Sequence, residues 1–192
     1  MDNYNKTFTG GTTLDFTNGL SDADRPKLKD NNVLDIVNND VDAKKVTAII
    51  LSECPGITNA TLMCIADKCT QLEVLFVNGC DMISDDGITA VAKKNNKLRW
   101  LGYSRCTRVT VAALEVITNE CPLLERLNAE GSGRLILPFD FGTKLPNLTE
   151  LNLENSNYIS TFLPESLGQL ADRCECFPIP GNPLQQPPCI SR

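Results

Sequence analysis

The chain has 192 residues, of which 42% are hydrophobic and 22% charged, a composition typical of a globular protein with a sizeable core. Its formal net charge of −6 argues against nucleic acid as a partner, because proteins that bind a phosphate backbone carry a basic face. It contains no histidine, the commonest general base and metal ligand, and no apolar run approaches the ~20 residues that cross a membrane. We therefore expect no catalytic site, no cofactor, no metal and no membrane insertion.

The first 45 residues precede any repeated pattern. Alternation in residues 12–17 places Leu14 and Phe16 on one side and predicts an edge strand, and the apolar spacing from Ser21 to Asn39 predicts one helix. We interpret residues 1–45 as an irregular N-terminal segment that caps the structure that follows. Its first residues have neither the basic start nor the apolar stretch of a secretory signal. We therefore expect an intracellular location with reduced thiols, with the cytoplasm as the default.

A repeated pattern begins at Val46. Each copy has large apolar residues at its first, fourth and sixth positions and Cys or Ser at its ninth, and successive copies start 26, 26, 26 and 24 residues apart. The five segments are VTAIILSEC from Val46, LEVLFVNGC from Leu72, LRWLGYSRC from Leu98, LERLNAEGS from Leu124 and LTELNLENS from Leu148. One such unit cannot bury its own apolar face, so we interpret residues 46–171 as five stacked repeats.

The second half of each of the first three copies predicts a helix. A Thr or Ser lies where its hydroxyl can cap the free N–H groups of the first turn, and apolar residues then recur three and four positions apart. These apolar residues are Leu62, Ile65, Ala66 and Cys69 in the first copy, Ile88, Val91 and Ala92 in the second, and Leu114, Ile117 and Cys121 in the third. Each unit is thus predicted to be a strand, a turn and a helix.

The cysteines at the ninth position recur in phase. Cys54, Cys80 and Cys106 should stack as a ladder of small buried residues whose thiols meet backbone groups. The first copy reads CxxITxxxLxxIAxxC from Cys54 to Cys69. This pattern resembles the cysteine-containing leucine-rich repeats of F-box/leucine-rich-repeat proteins and of antagonist-of-mitotic-exit-network-like proteins, over about residues 46–131.

The resemblance implies a fold and a kind of function. The fold is an α/β leucine-rich-repeat solenoid, a right-handed horseshoe arc with a parallel sheet on its concave side and helices on its convex side. The implied function is binding to other proteins. The resemblance also implies an alternative, substrate recognition within a ubiquitin-ligase complex, although the sequence has no recognisable F-box.

The pattern changes after Ser132. LILPFDFGTKLPNL and FLPESLGQL are similar to the looser LPxxLxxL repeats of other subfamilies. Five of the eleven prolines lie between Pro178 and Pro188, so we predict that residues 172–192 form an extended tail or a coat over the last repeat. Three cysteines lie in this tail, and the sequence is compatible with free thiols or with a disulfide among them. A zinc site is disfavoured because no histidine is present to complete it. The three cysteines are Cys174, Cys176 and Cys189.

The candidate binding surface follows from the alternation of side chains along a strand. The fourth and sixth positions point into the core, so the third, fifth and seventh point onto the concave face. Neighbouring strands lie about 4.8 Å apart, so side chains at equivalent positions of successive copies are neighbours. The first three copies have apolar residues at these positions and the last two have charged ones, which predicts an exposed apolar patch beside a charged rim. The predicted partner-binding residues are Ile50, Val74, Phe76, Trp100, Arg126, Asn128, Glu130 and Glu150.

Trp100 lies at the centre of this predicted patch, and Trp and Arg are the residues most favoured at interface hot spots. Two alternatives are open: the chain's own tail covers the patch, or the patch is ordinary exposed surface. Our leading interpretation is a non-catalytic protein–protein interaction module, an adaptor or subunit of a larger assembly, that binds a protein partner through the concave face.

Overall fold

The structure, a computed structural model, describes residues 11–133, 135–137, 140–156 and 158–160. Its eight strands in these ranges are β1 (Thr12–Asp15), β2 (Val46–Ile50), β3 (Val74–Phe76), β4 (Trp100–Gly102), β5 (Arg126–Asn128), β6 (Leu135–Leu137), β7 (Glu150–Asn152) and β8 (Tyr158–Ser160). Six of them form one sheet in the order β1-β2-β3-β4-β5-β7, and every neighbouring pair is parallel. The five strands predicted from the repeats are therefore present and parallel, which confirms the fold class.

Helices connect the strands of this sheet. They are α1 (Asp30–Asp35), α2 (Asn59–Lys68), α3 (Asp85–Lys94), α4 (Val111–Glu120) and α5 (Phe141–Lys144). Helices α2, α3 and α4 each lie between two consecutive parallel strands, as a crossover connection requires. Because α2 packs on α3 and α3 packs on α4, helices stack on helices while strands stack on strands.

Within the described ranges, none of the helices combines the length and the apolar character that crossing a membrane demands.

The core lies between the sheet and the helices. Every fourth and sixth position of the five copies is at most 2% exposed. These residues are Ile49, Leu51, Leu75, Val77, Leu101, Tyr103, Leu127, Ala129, Leu151 and Leu153. The apolar residues predicted on the inner faces of α2, α3 and α4 are buried against them. The three-and-four spacing in the sequence thus identifies the buried face of each helix.

The helix starts join neighbouring repeats. The Oγ1 atoms of Thr58 and Thr110 cap α2 and α4 by accepting a hydrogen bond from the N–H two residues later, at 3.2 and 3.3 Å. The carboxylate of Asp85, the first residue of α3, accepts hydrogen bonds from the N–H and Oγ1 of Thr110, both at 2.7 Å. Asp30 accepts the same pair of hydrogen bonds from Thr58. Asn59 accepts one from the N–H of Ser84 at 3.0 Å and donates one to the Ser84 hydroxyl at 2.7 Å. The N-terminal segment and the first three copies are therefore joined on the helical side as well as through the sheet.

The N-terminal segment extends both layers. Strand β1 pairs with β2, and Leu14 and Phe16 are half-buried against the core, as the alternation predicts. On the helical side, burial alone would raise the pKa of Asp30, but hydrogen bonds from Thr58 and Thr61 outweigh it and hold that pKa below its ordinary value. The Asp30 carboxylate is thus ionised at neutral pH where it contacts α2.

The prediction of one helix from Ser21 to Asn39 is wrong in its extent. A 3-10 turn over Arg25–Lys27 is followed by extended backbone, and α1 begins only at Asp30 before continuing as a π-helical turn over Ile36–Asp40. The cause is local. Proline suits only the first turn of a helix, and the N–H of Lys29 donates to the Asn32 side chain at 2.9 Å, which starts a new helix there.

The last two copies differ from the first three behind the sheet. Strands β6 and β8 form a separate parallel pair, and β6 packs beside α4. Among the described residues of these two copies, the one helix is α5, a single turn with Phe141 buried. The sequence predicts a looser repeat after Ser132 but not this second sheet. Residues 161–192, including the predicted tail at 172–192 and its three cysteines, lie outside the described residues.

Candidate protein-interaction surface

The third, fifth and seventh positions form rows on the sheet face opposite the helices, the concave face. In one row Trp100 lies between Val74 and Arg126, and Arg126 lies beside Glu150. In the next row Gly102 lies between Phe76 and Asn128. The structure therefore brings the predicted binding residues onto one face.

The prediction that Val74 and Trp100 are exposed is wrong. Val74 is 3% and Trp100 4% exposed, and together with Ala48 they form a small apolar cluster on the concave face, separate from the main core. Phe76 packs against this cluster and, like Ile50, is half-buried. Strands about 4.8 Å apart bring large side chains of neighbouring copies into contact, so these residues shield one another from water.

Charged residues of the following copy cover Trp100. The guanidinium of Arg126 lies 4.2 Å from the centre of the indole ring, within the range of a cation–π contact. The indole Nε1 donates a hydrogen bond to the carboxylate of Glu125 at 3.3 Å. Arg126 thus contacts the face of the indole ring and Glu125 contacts its edge. The role of Trp100 in the described structure is packing.

Gly102 makes room for an aromatic ring. A Cβ atom at this position would lie 2.6 Å from Cδ1 of Phe76 and 2.9 Å from the side chain of Asn78. Any larger residue would push the Phe76 ring away, because real Cβ atoms do not approach so closely. Because Gly102 has no side chain, the ring of Phe76 can occupy the space above this position of β4.

The charged half of the face is internally paired. The Nε of Arg126 lies 3.0 Å from Glu150, with side chains 41% and 39% exposed. The carboxylate of Glu130 accepts hydrogen bonds from Asn152 and Asn155 at 3.5 and 3.4 Å. Asn128 accepts a hydrogen bond from the N–H of Glu130 at 3.2 Å. This half offers half-buried polar groups in defined positions.

A second row of charges lies at the second position of the copies, and the sequence analysis missed it. Arg99 lies 3.7 Å from Glu73 and 2.8 Å from Glu125, and all three side chains are about one-third exposed. The signal was the alternation of Glu, Arg and Glu at that position in three successive copies. Such exposed pairs stabilise weakly, but they fix the orientation of neighbouring side chains.

The turn after the strand of each of the five copies contains a left-handed residue at the eighth position, which the sequence analysis also missed. These residues are Glu53, Gly79, Arg105, Gly131 and Asn155, with φ between 55° and 70°. Glu53 and Arg105 form an ion pair across the intervening copy. A Cβ atom on Gly79 would lie 2.6 Å from the Glu53 carboxylate, so glycine leaves the space for this pair.

A cavity of about 600 Å³ opens beside these turns. Its walls come from the loop after β1 and from concave-face residues of the first three copies, among them Ile50, Phe76 and Asn78. Two of the predicted binding residues therefore also line a cavity.

The ninth position forms a buried ladder. The thiol of Cys80 donates to the carbonyl of Leu51 at 3.0 Å, and that of Cys106 donates to Val77 at 3.2 Å. In the last two copies serine hydroxyls make the same contact, from Ser132 to Tyr103 at 3.1 Å and from Ser156 to Ala129 at 2.6 Å. In these four contacts the acceptor is the sixth residue of the preceding copy, so the ladder joins each of these repeats to the one before it. Cys54, in the first copy, instead donates to the carbonyl of Ser52 in its own copy at 3.4 Å.

The ladder thiols are protonated. Burial raises the pKa of Cys106 to about 12, and it also raises the pKa of Cys80 and Cys54 above the ordinary value. All six cysteines of the described residues are free thiols. Within these same residues, no group of three or more Cys, Asp or Glu side chains is placed to hold a metal ion.

We expect Cys54, Cys80 and Cys106 to react slowly with a thiol reagent in the native protein, because reaction requires an accessible thiolate. Cys64 is half-buried and serves as the internal control that should be modified first. Timed labelling followed by peptide mass spectrometry measures the four rates. Rapid modification of the three ladder thiols without unfolding would contradict the ladder.

The strand–turn–helix units, the parallel sheet and the buried ladder define a leucine-rich-repeat solenoid, the class of protein in which stacked repeats share one continuous core. The chain is 34% identical over 74 residues to F-box/LRR-repeat protein 4 of Bos taurus. Its fold is similar to that of Rad7 in the crystal structure of the Rad7 and Elc1 complex in yeast, with a TM-score of 0.57 and 17% identity. No family model matches the chain.

Both similarities concern parts of larger proteins. The sequence match covers 38% of this chain and 12% of the bovine protein. The structural match covers 78% of this chain and 38% of the yeast chain. Together they support the leucine-rich-repeat type that the cysteine pattern indicates, and the low identity to the yeast chain makes that similarity one of fold.

Proposed function

We propose that the chain is a non-catalytic protein–protein interaction module, an adaptor or subunit of a larger assembly, that binds its partner through the concave face. The observation that carries this proposal is the composition of that face. Half-buried Ile50 and Phe76 lie on the same sheet as the ion pair of Arg126 with Glu150. An apolar centre beside fixed polar groups is the usual anatomy of a protein interface.

The burial of Val74 and Trp100 changes which residues meet the partner. We assign direct contact to the half-buried residues of the face, and we assign support from beneath to Val74 and Trp100. The contact residues are Ile50, Phe76, Arg126, Asn128, Glu130 and Glu150. Free, protonated ladder thiols fit a reducing compartment, so we propose an intracellular location for the protein.

A second candidate function is substrate recognition within a ubiquitin-ligase complex. It is favoured by the sequence similarity to a protein named for an F-box and leucine-rich repeats, and by the similarity to a chain whose structure was solved in complex with a second protein. Because the matched parts are small fractions of those proteins, this role is proposed as the alternative.

Glu130→Arg should weaken partner binding by about tenfold or more while leaving the fold intact. The substitution reverses a charge on the concave face. A charge that no longer complements the partner surface weakens binding. The hydrogen bonds that Glu130 accepts from Asn152 and Asn155 are long, so little of the folding stability depends on them. Affinity purification of each tagged variant, followed by quantitative mass spectrometry and a direct affinity measurement on the recovered partner, measures the effect.

The matched control is Glu115→Arg, the same substitution at an exposed position of α4 on the opposite side. It should retain the partner. If Glu115→Arg abolishes binding and Glu130→Arg does not, the partner binds the helices and the concave-face proposal is wrong. Recovery of a cullin together with a Skp-type adaptor would favour the ubiquitin-ligase alternative.

A further inference from the structure

The concave face carries more acid than base. The second, third, fifth, seventh and eighth positions of the five copies form this face and its turns, and they contain six glutamates and three arginines. The acids are Glu53, Glu73, Glu125, Glu130, Glu150 and Glu154, and the bases are Arg99, Arg105 and Arg126. The face therefore has a formal excess of three negative charges, within a chain whose net charge is −6.

The three arginines are all engaged, and together they pair with four of the six acids. The pairs are Arg99 with Glu73 and Glu125, Arg105 with Glu53, and Arg126 with Glu150. Within the described ranges, no lysine or arginine lies at ion-pair distance from the other two acids, Glu130 and Glu154. The Glu130 carboxylate accepts only two long hydrogen bonds, from the amides of Asn152 and Asn155. The charge excess of the face is therefore concentrated at two carboxylates.

These two carboxylates belong to neighbouring turns. Glu130 and Glu154 occupy the seventh position of adjacent copies, and the N–H of Gly131 donates to the carbonyl of Glu154 at 2.8 Å, which fixes the turns side by side. The side chain of Glu130 is half-buried and that of Glu154 is exposed. Like charges at opposite positions of adjacent strands are unfavourable, and a cationic side chain beside both would relieve the repulsion. This end of the face therefore favours lysine or arginine.

The other end of the face is apolar and balanced in charge. Ile50 and Phe76 line the cavity of about 600 Å³, a volume that holds a few side chains of a peptide. The charged residues of its wall are Asp15, Glu53, Arg25 and Arg105, two of each sign. Both guanidiniums are ion-paired, Arg25 with Asp22 at 3.4 Å and Arg105 with Glu53. This end therefore favours an uncharged apolar side chain.

The distance between the two ends matches an extended peptide. Phe76 lies in β3 and Glu130 follows β5, and these strands are separated in the sheet by β4 alone. Two steps of about 4.8 Å place them roughly 10 Å apart across the face, and an extended chain rises about 3.3 Å per residue. A segment that crosses the strands thus spans the distance in about three residues.

We propose that the concave face binds an extended segment of a partner protein in which an uncharged apolar residue and a lysine or arginine lie three or four positions apart. The apolar side chain contacts Ile50 and Phe76 at the cavity, and the cation lies beside Glu130 and Glu154. The inference rests on the proposed function in taking the ligand from a protein partner, and it names the chemistry of the partner's segment.

The test titrates the full chain with four acetylated peptide amides. Phe-Ser-Ser-Lys-Lys has the proposed chemistry, Lys-Lys-Ser-Ser-Phe has it in the reverse order, Phe-Ser-Ser-Glu-Glu reverses the charge, and Gly-Ser-Ser-Lys-Lys lacks the apolar side chain. Nuclear magnetic resonance follows the backbone N–H signals of Phe76 and Glu130. We expect saturable shifts of both signals with at least one of the two peptides that combine Phe with Lys. The glutamate peptide and the glycine peptide should bind about tenfold more weakly or less.

Two conservative substitutions test the carboxylates. Glu130→Gln and Glu154→Gln should each weaken binding of the Phe–Lys peptide by about threefold, because each removes one negative charge. Glutamine retains an oxygen that can accept the hydrogen bonds made by Glu130. The matched control is Glu115→Gln, at an exposed glutamate of α4 on the opposite side, which should have no effect. Equal losses in the control would show that the peptide senses only the net charge of the chain, and would overturn the proposal.

Glu154→Lys keeps the test decisive, because it should create an affinity as well as remove one. The Glu154 side chain is exposed, so the fold tolerates the substitution. We expect this variant to bind the Phe–Lys peptide about tenfold more weakly than the native chain does and to bind the glutamate peptide more tightly. Loss of structure does not increase affinity. An unchanged preference for lysine in Glu154→Lys contradicts the assignment.

The remaining outcomes separate this inference from the proposed function. Equal binding of the lysine and glutamate peptides by the native chain overturns the inference. So does failure of both Phe–Lys peptides to bind, including the case in which residues 161–192 of the chain occupy the face. If a partner is lost in Glu130→Arg and kept in Glu115→Arg while neither Phe–Lys peptide binds, the inference alone is refuted. If the peptides bind but no partner depends on the concave face, the proposed function alone is refuted.

Discussion

Leu101→Ala is expected to lower the free energy of unfolding by about 2–5 kcal/mol, through lost burial and the cavity left behind. Leu101, in β4, is the fourth residue of the third copy, is 2% exposed and lies beside Leu75 and Leu127 of the neighbouring strands. In a solenoid each repeat is stabilised only by its neighbours, so a cavity in the middle copy weakens two interfaces at once.

Denaturant unfolding followed by circular dichroism measures this change. The matched control is Leu123→Ala, the same truncation at a leucine that is 47% exposed, for which we expect a change within about 0.5 kcal/mol. Equal losses in the two variants would show that the fourth position does not point into the core, and the repeat would then be out of register.

The core of this protein is predictable from its sequence because its contacts are periodic. Each copy packs on the adjacent copy at the same positions, so one correct alignment of Leu75 with Leu101 fixes the whole sheet. The ladder follows for the same reason. Cys80 and Cys106 have equivalent surroundings, and the serines of the last copies substitute for them because a hydroxyl donates to the same carbonyl.

The exposure of the candidate surface is not predictable in this way. Alternation along a strand indicates the face on which Val74 and Trp100 lie, but it does not indicate how far their neighbours cover them. The cover over Trp100 depends on the rotamers of Arg126 and Glu125 in the next copy, which place a charge over the ring and an acceptor at its edge. Periodicity carries no information about such choices.

The remaining differences arise where the repeat is interrupted. The helix boundary before Asp30 depends on a local competition between a proline-containing turn and a new capping contact, and β6 pairs with β8 although the two strands are not consecutive in the chain. The cavity likewise combines Arg25 from the N-terminal loop with residues of three separate copies. The strand pair and the cavity join residues that are distant in sequence, and neither they nor the local contact before α1 recur with the repeat, so none of them leaves a periodic signal.

Trp100→Ala is expected to lower the free energy of unfolding by about 3–5 kcal/mol, the range for truncating a buried aromatic residue. Trp100 is 4% exposed and packs with Ala48 and Val74, and its removal also ends the cation–π contact with Arg126 and the hydrogen bond to Glu125. An exposed interface anchor would behave in the opposite way, losing the partner while the folded state kept its stability.

Trp100→Phe separates packing from polar contact. It retains most of the ring and the cation–π partner but removes the Nε1 donor, so we expect a loss of about 1–2 kcal/mol. Thermal and denaturant unfolding of both variants, with partner affinity measured under conditions where each is folded, gives the two quantities. An unchanged unfolding free energy in Trp100→Ala, with loss of the partner, would make Trp100 a direct contact. In that case the partner, rather than Arg126, would be the main cover over the indole ring.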